Sequence, residues 1–515
     1  MALAAGRGDP SQSHFVMFPW QFRLPRLGAG ALVLIVCACG QPTIDVDANA
    51  DIALPDGMLS DAASDAGPEV AADVVCAMYP VPPVQVAGTS ETDSLARAPA
   101  RCGQNAHAWR ADPMLGTVTA RGMHTRYTTN TLRVLAGAVF ANASSVVGSD
   151  VDVDQLAYTT QDRGALHTAT MMIARPVRRT DAAMLDVILF AHGTSGVNDR
   201  CAPSNDELAR VLVSVVASTG YVVVAPDYIG LRAFGSPTGF LHPYLAGQPT
   251  AIASLDAVRA GVRFLASERG PVCASTRYVT VGGSQGGHAA LWIDRLAPYY
   301  LREFRHMGVV ATVPPADVTG EIALALRSVI PATQNSVAII AALAPWYGLD
   351  GRLGEVFRAP YDTRIPMNLA TSCGVSGARV DVLTDAFQPA ILAAAASTDI
   401  LHALVPWGCL LGENSLTTTS VPRIPSTEPG YGVLYVLGER DELVSTTIER
   451  GSFRSLCARG MQMQYLECAG AQHVQATLWS MPEILDFVRD RLAGRPPVPS
   501  DACVVRPATR CRGTM

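Results

Sequence analysis

Tyr278-Val-Thr-Val-Gly-Gly-Ser-Gln-Gly-Gly-His288 is the stretch on which the fold turns. Its first residues carry the short apolar run of a buried β-strand, and a helix-forming segment follows Gly287. Between them Gly282, Ser284 and Gly286 make the pattern G-x-S-x-G, in which a serine sits on a sharp strand-to-helix turn with its hydroxyl exposed. Glycines are required there because the turn brings backbones too close for a Cβ and strains φ and ψ at the serine. A serine hydroxyl is a weak nucleophile on its own. It needs a base, an acid that orients the base, and N–H donors for the oxyanion.

Downstream, the apolar run at 432–437 is followed by Gly438-Glu-Arg-Asp441-Glu-Leu-Val444. Asp441 is the expected acid, a short carboxylate in the loop after a strand; Glu439 and Glu442 are the alternatives, read as solvated loop residues. After a further strand at 463–466 comes Glu467-Cys-Ala-Gly-Ala-Gln-His473, and His473 is the expected base, the only histidine after the acid. The order serine, acid, histidine is that of a nucleophile elbow and its partners. Upstream, the strand at 187–191 runs into His192-Gly193-Thr194. The expected oxyanion donors are the backbone N–H groups of Gln285 and Thr194, with Gly193 allowing close approach and His192 bracing the loop.

From Asp186 onward, strand-like and helix-like segments alternate, which predicts a mostly parallel sheet with helices on both faces. Strands are expected at 187–191, 221–225, 278–281, 307–313, 432–437 and 463–466. Helices are expected at 206–218 (stopped by Gly220), 251–268 and 484–492. The core is therefore assigned to 187–314 and 426–495. Between them, 315–425 is rich in Ala and Leu and reads as a helical cap or lid above the strands' C-terminal ends. Residues 76–186 form a β-rich N-terminal addition to the sheet, with a strand, a turn near Gly164 and a second strand up to Pro176. Residues 496–515 are a C-terminal tail.

The 515 residues are 49% apolar, enough for a large core, and the net charge of −6 argues against a nucleic-acid partner. All 39 basic residues are arginine. Arg23 and Arg26 precede a short apolar run ending at Cys37-Ala-Cys39, the layout of an export signal over 1–39. Val36-Cys37-Ala38-Cys39 resembles a bacterial lipobox, with Cys39 as the lipidated residue and Cys37 the weaker candidate; the alternative is an ordinary cleaved signal without lipid, which would leave the protein secreted. Residues 40–75, rich in Asp and Ala and lacking aromatics, are expected to form a disordered acidic tether. Beyond Cys37 and Cys39, ten cysteines without a C-x-x-C pair suit disulfides of an exported protein. Cys457 and Cys468 lie too far apart to pair, and a bridge from Cys468 to Cys503 or Cys511 would pin the tail.

Further stretches carry a family resemblance: Cys201-Ala-Pro-Ser204, Tyr221-Val-Val-Val-Ala-Pro-Asp-Tyr-Ile-Gly230, His242-Pro-Tyr-Leu245 and Leu255-Asp-Ala-Val-Arg-Ala260. With the elbow, they make 158–492 resemble the secretory lipases among the α/β-hydrolases. The resemblance implies the α/β-hydrolase fold with an inserted helical cap. It also implies hydrolysis of acylglycerols or other carboxylic esters outside the cytoplasm, with no metal or organic cofactor. Its catalytic roles fall on Ser284, Asp441 and His473. A serine peptidase or an acyltransferase on the same fold is the alternative reading, and a non-catalytic surface binding lipoprotein is a third. A membrane partner follows from the lipid anchor.

Overall fold

Alternating side chains along the central strands divide between two apolar layers. Val187, Leu189, Val222, Val224, Val309, Val433 and Tyr435 face one layer, and Ile188, Val223, Val310, Leu434 and Val436 face the other. This two-residue period is what a sheet covered by helices on both sides demands. Burying each such side chain contributes about 1.5–3 kcal/mol before conformational entropy is counted. The computed structural model describes residues 76, 80–86, 102, 109–139, 146–178, 183–268, 270–397, 404–498 and 501–514. The expected export signal with Cys39 and the acidic tether lie wholly outside the described residues.

Nine strands form one sheet: β1 Val118–Tyr127, β2 Val151–Asp162, β3 Ala165–Pro176, β4 Ala183–Ala191, β5 Val222–Pro226, β6 Val272–Gly283, β7 Arg305–Thr312, β8 Gly432–Gly438 and β9 Met463–Cys468. Their order is β1-β2-β3-β5-β4-β6-β7-β8-β9. The β1–β2, β2–β3 and β3–β5 pairs are antiparallel, and all later pairs are parallel. The hairpin read near Gly164 joins β2 to β3 through Arg163 and Gly164, both at positive φ, the two-residue turn that matches strand twist. The N-terminal strands thus continue the same sheet. Helix Glu207–Ala217 is capped by Asp206, whose side chain accepts from the Ala209 N–H, and Gly220 follows it at φ +108°.

Register positions the functional loops. Ala191 pairs with Gly282, Gly283 with Thr312, Thr312 with Val436, and Gly438 with Cys468. The C-terminal ends of β4, β6, β7, β8 and β9 therefore lie along one edge, where open α/β sheets bind ligands.

The insertion contains helices Val318–Ala325, Thr333–Trp346, Tyr361–Leu369, Leu383–Ala386, Pro389–Ala396 and Trp407–Asn414. Its Ile322, Ile340, Leu343, Phe357, Phe387 and Leu410 are buried in an apolar cluster that Val197, Tyr244 and Leu245 of the body join. The Leu416 N–H donates to Ala316 O at 2.8 Å, and Leu416 and Val421 belong to the main core. The insertion thus closes nearer 416 than the expected 425, because its last residues already pack on the sheet's helices.

Ten cysteines form five disulfides: Cys76–Cys273, Cys102–Cys409, Cys201–Cys373, Cys457–Cys503 and Cys468–Cys511. Two of them staple the insertion to the body at Cys373 and Cys409. The other expectation also holds, since Cys457 and Cys468 do not pair and Cys468 reaches Cys511. The tail runs beside β9, with the Cys503 N–H bonded to Met463 O and the Thr509 N–H to Glu467 O.

Candidate active site

Ser284 sits at φ +57°, ψ −121°, a conformation that costs an L-residue energy and that the surrounding turn enforces. A Cβ on Gly282 would lie 2.1 Å from Gly286 O, and one on Gly286 would lie 2.0 Å from Ala191 O. Both glycines of the pattern are therefore sterically obligatory. The Ser284 N–H donates to Thr312 O at 2.9 Å, anchoring the elbow to β7. Gln285 opens helix Gln285–Tyr300, so its N–H belongs to a helix N-terminus, which favours negative charge.

Asp441 and His473 meet as the order along the chain requires. The His473 Nδ1 lies 2.8 Å from Asp441 Oδ2 and 2.9 Å from Oδ1, and both side chains are buried. Asp441 Oδ1 also accepts from the Leu443 and Val444 N–H groups, at 2.9 Å each, which fixes the carboxylate. The structure puts His473 one step beyond the expected loop, as the first residue of helix His473–Trp479, where Gln472 and Gln475 form a capping box. One turn on, Thr477 Oγ1 bonds Thr312 Oγ1 at 2.6 Å and would stand 3.3 Å from a Cβ on Gly283. Residues four apart share a helix face, so His473 lies on the side of its helix that faces the elbow.

Glu439 and Glu442 are not the idle loop residues that sequence suggested. The His473 N–H donates to Glu442 Oε2 at 3.0 Å, and the Gly470 N–H donates to Glu439 Oε2 at 2.7 Å. The two glutamates flanking the acid thus hold the histidine's loop. Nothing local distinguishes this role, because it depends on β8 and β9 ending side by side.

The loop after β4 is braced as expected. His192 is buried and stacks on Tyr228, with ring centroids 4.0 Å apart, and burial pushes its pKa down to about 4. Its Nδ1–H donates to Gly193 O at 2.6 Å. In a trans peptide the following N–H points opposite that carbonyl, so this bond also fixes the direction of the Thr194 N–H. The Thr194 hydroxyl is engaged with Tyr244 OH at 2.7 Å, leaving the backbone as the donor of interest. Gly193 lies beside the elbow. A Cβ there would lie 3.5 Å from Gly283 O and 4.0 Å from Ser284 Cβ, ordinary contacts, so backbone approach does not demand glycine. What the glycine leaves open is space over Ser284.

His242 was not assigned a role from sequence. Its Nδ1–H donates to Ile229 O at 2.8 Å, and its Nε2 accepts from the Gln285 side chain at 2.7 Å. Burial lowers its pKa to about 3, so it stays a neutral acceptor that steadies Gln285, the residue after Ser284. Among the described residues no cluster of three or more His, Cys, Asp or Glu is arranged to hold a metal ion.

A serine elbow, a buried histidine–carboxylate pair and N–H groups at one edge of a mostly parallel sheet define an α/β-hydrolase. More particularly, the chain belongs to the secretory lipase family, whose model matches residues 204–500, and it is a carboxylic ester hydrolase. It is similar to the secreted triacylglycerol lipase LIP5 of Malassezia furfur, 24% identical over 353 residues, or 64% of this chain and 84% of that one. In structure it is similar to the rice cell wall degrading esterase LipA from Xanthomonas oryzae. That likeness has a TM-score of 0.61 at 20% identity, over 75% of this chain and 100% of the other. Candida antarctica lipase A in its closed state matches with a TM-score of 0.56 at 16% identity, over 76% and 86% of the two chains.

Proposed function

We propose that this protein is an exported lipase or esterase that cleaves esters of hydrophobic acyl groups, acylglycerols among them, through an acyl-enzyme on Ser284. The observation that carries the reading is the buried His473–Asp441 pair, on a helix tied through Thr477 to the strand beside the elbow. Ser284 Oγ attacks the ester carbonyl carbon while His473 Nε2 takes its proton. The oxyanion that forms is held by the N–H groups of Gln285 and Thr194. His473 then protonates the departing alkoxide, and water repeats the sequence to release the acid. Asp441 stays ionised and keeps the Nδ1–H tautomer in place.

The apolar insertion favours hydrophobic acyl or alkyl groups, and the triacylglycerol lipase named among its relatives supports the same substrate class. Export is supported by the family, by the secreted relative and by the five disulfides, which persist in oxidising compartments. We further propose anchoring by a lipid on Cys39, on the strength of the Val36–Cys39 sequence. Purified protein lacking residues 1–40 would be offered p-nitrophenyl esters of graded chain length, a peptide p-nitroanilide and a fluorophosphonate probe. Labelling at Ser284 with ester cleavage is expected. No labelling sinks the serine mechanism, and anilide cleavage without ester cleavage transfers the reading to a peptidase. Metabolic labelling with a palmitate analogue tests Cys39, where a Cys39→Ala variant labelled like the wild type would rule it out.

A further inference from the structure

Two helices exchange their capping glutamates. Asp317 is the N-cap of Val318–Ala325, the first helix of the insertion, and Ser445 is the N-cap of Thr446–Ala458, which follows the acid loop. In a capping box an early glutamate reaches back to the N-cap N–H of its own helix. Here each helix lends its glutamate to the other. The Ser445 N–H donates to Glu321 Oε1 at 2.9 Å, and the Asp317 N–H donates to Glu449 Oε1 at 3.3 Å. Tyr435 OH donates to Glu449 Oε2 at 2.6 Å.

The exchange bears on the acid. The N–H groups of Leu443 and Val444 go to Asp441 Oδ1, and the next one, from Ser445, goes to Glu321. The turn that carries Asp441 is thus held at its near end by Asp441 itself and at its far end by the insertion. Both glutamates are buried. The charged groups that face them are Asp317, beside both, and Asp441, beside Glu321, all acidic, with the Tyr435 hydroxyl on Glu449. Burial, and then the charge of Glu449, raise the pKa of Glu321 far above the usual carboxylate range, and burial raises that of Glu449. Carboxyls packed this way do not ionise together at neutral pH.

Resting on Asp441 as the orienting acid, we propose that Glu321 and Glu449 are positioning residues: their crossed caps clamp the Asp441 turn to the insertion, and the clamp loosens when both carboxyls are ionised at alkaline pH. The test compares wild type with Glu321→Ala and Glu321→Gln in hydrolysis of p-nitrophenyl butyrate from pH 6 to 10, corrected for spontaneous hydrolysis. Glu321→Ala is expected to lower kcat about tenfold or more at pH 7 with KM little changed, the effect of one lost buried hydrogen bond on the acid's position. Glu321→Gln keeps the acceptor and cannot ionise, so it recovers most of that loss and moves the alkaline fall of kcat upward by about one pH unit or more. An alkaline limb unchanged in Glu321→Gln overturns the clamp, as does wild-type kcat in Glu321→Ala. If Glu321→Ala does not fold, the glutamine profile decides alone. Fluorophosphonate labelling of wild-type Ser284 separates the two failures: an unlabelled wild type refutes the active-site reading itself. A labelled wild type with unaltered variants refutes only the clamp.

Discussion

The imidazole Nδ1 of His473 stands 2.8 Å from Oδ2 of Asp441 and 2.9 Å from Oδ1, with only 6% and 2% of the two side chains exposed. Water does not compete for this contact, so the carboxylate can dictate which imidazole nitrogen carries the proton. Asp441→Asn keeps the shape of the site but presents the wrong partner to Nδ1. The kcat for p-nitrophenyl butyrate should fall by about 10⁴ with an unchanged thermal midpoint, as expected when a triad acid loses its charge. A loss below tenfold would remove Asp441 from the mechanism.

Gly193 provides a test of what the loop after β4 is for. A methyl there meets ordinary contacts, 3.5 Å from Gly283 O and 4.0 Å from Ser284 Cβ. Gly193→Ala should therefore fold with stability within about 1 kcal/mol of wild type. It should still lose about tenfold or more in kcat/KM, because the methyl fills space the substrate needs. Denaturant unfolding and steady-state kinetics on the same preparation check both halves; full activity would show that the space over Ser284 is not used.

The Cys468–Cys511 bond closes a segment with a sequence separation of 43 and lines the tail along β9, next to the His473 loop. Replacing both cysteines by serine should cost about 2–4 kcal/mol. It should also expose the peptide bond after Arg510 to trypsin. Unchanged stability together with an unchanged cleavage rate would mean that backbone bonds alone hold the tail.

His306 supplies a pH dependence distant from the elbow. It is buried, stacks on Tyr278 at 4.5 Å between centroids, and bonds the Thr280 hydroxyl through Nε2 at 3.0 Å. Burial first lowers its pKa to about 4. A histidine whose folded pKa is depressed adds stability that is present above its unfolded value, near 6.5, and is lost as pH falls through the folded one. Over that window the loss amounts to about 3 kcal/mol. In His306→Phe this titration vanishes, so the variant loses less stability than wild type on acidification from pH 7 to pH 4. Parallel stability–pH curves for the two proteins would refute the assignment.

Much of the candidate site's layout is legible from the chain alone. The elbow, the strand-to-helix alternation and the order of Ser284, Asp441 and His473 rest on local chemistry: close packing at glycine, side-chain periodicity, and loops that follow strands. The boundary of the insertion was less legible, because whether 416–425 packs on the cap or on the sheet's helices is a question of tertiary contact.

Other features belong to the tertiary structure alone. Which tail cysteine meets Cys468, why Glu442 rather than solvent receives the His473 N–H, why His242 matters to Gln285, and that Glu321 and Glu449 cross between helices all join residues tens to hundreds of positions apart. A carboxylate in a loop is the same local text whether it is solvated or bonded to a distant N–H. Here the parallel register that ends β8 beside β9, and the insertion's neck at Ala316 and Leu416, decide which it is.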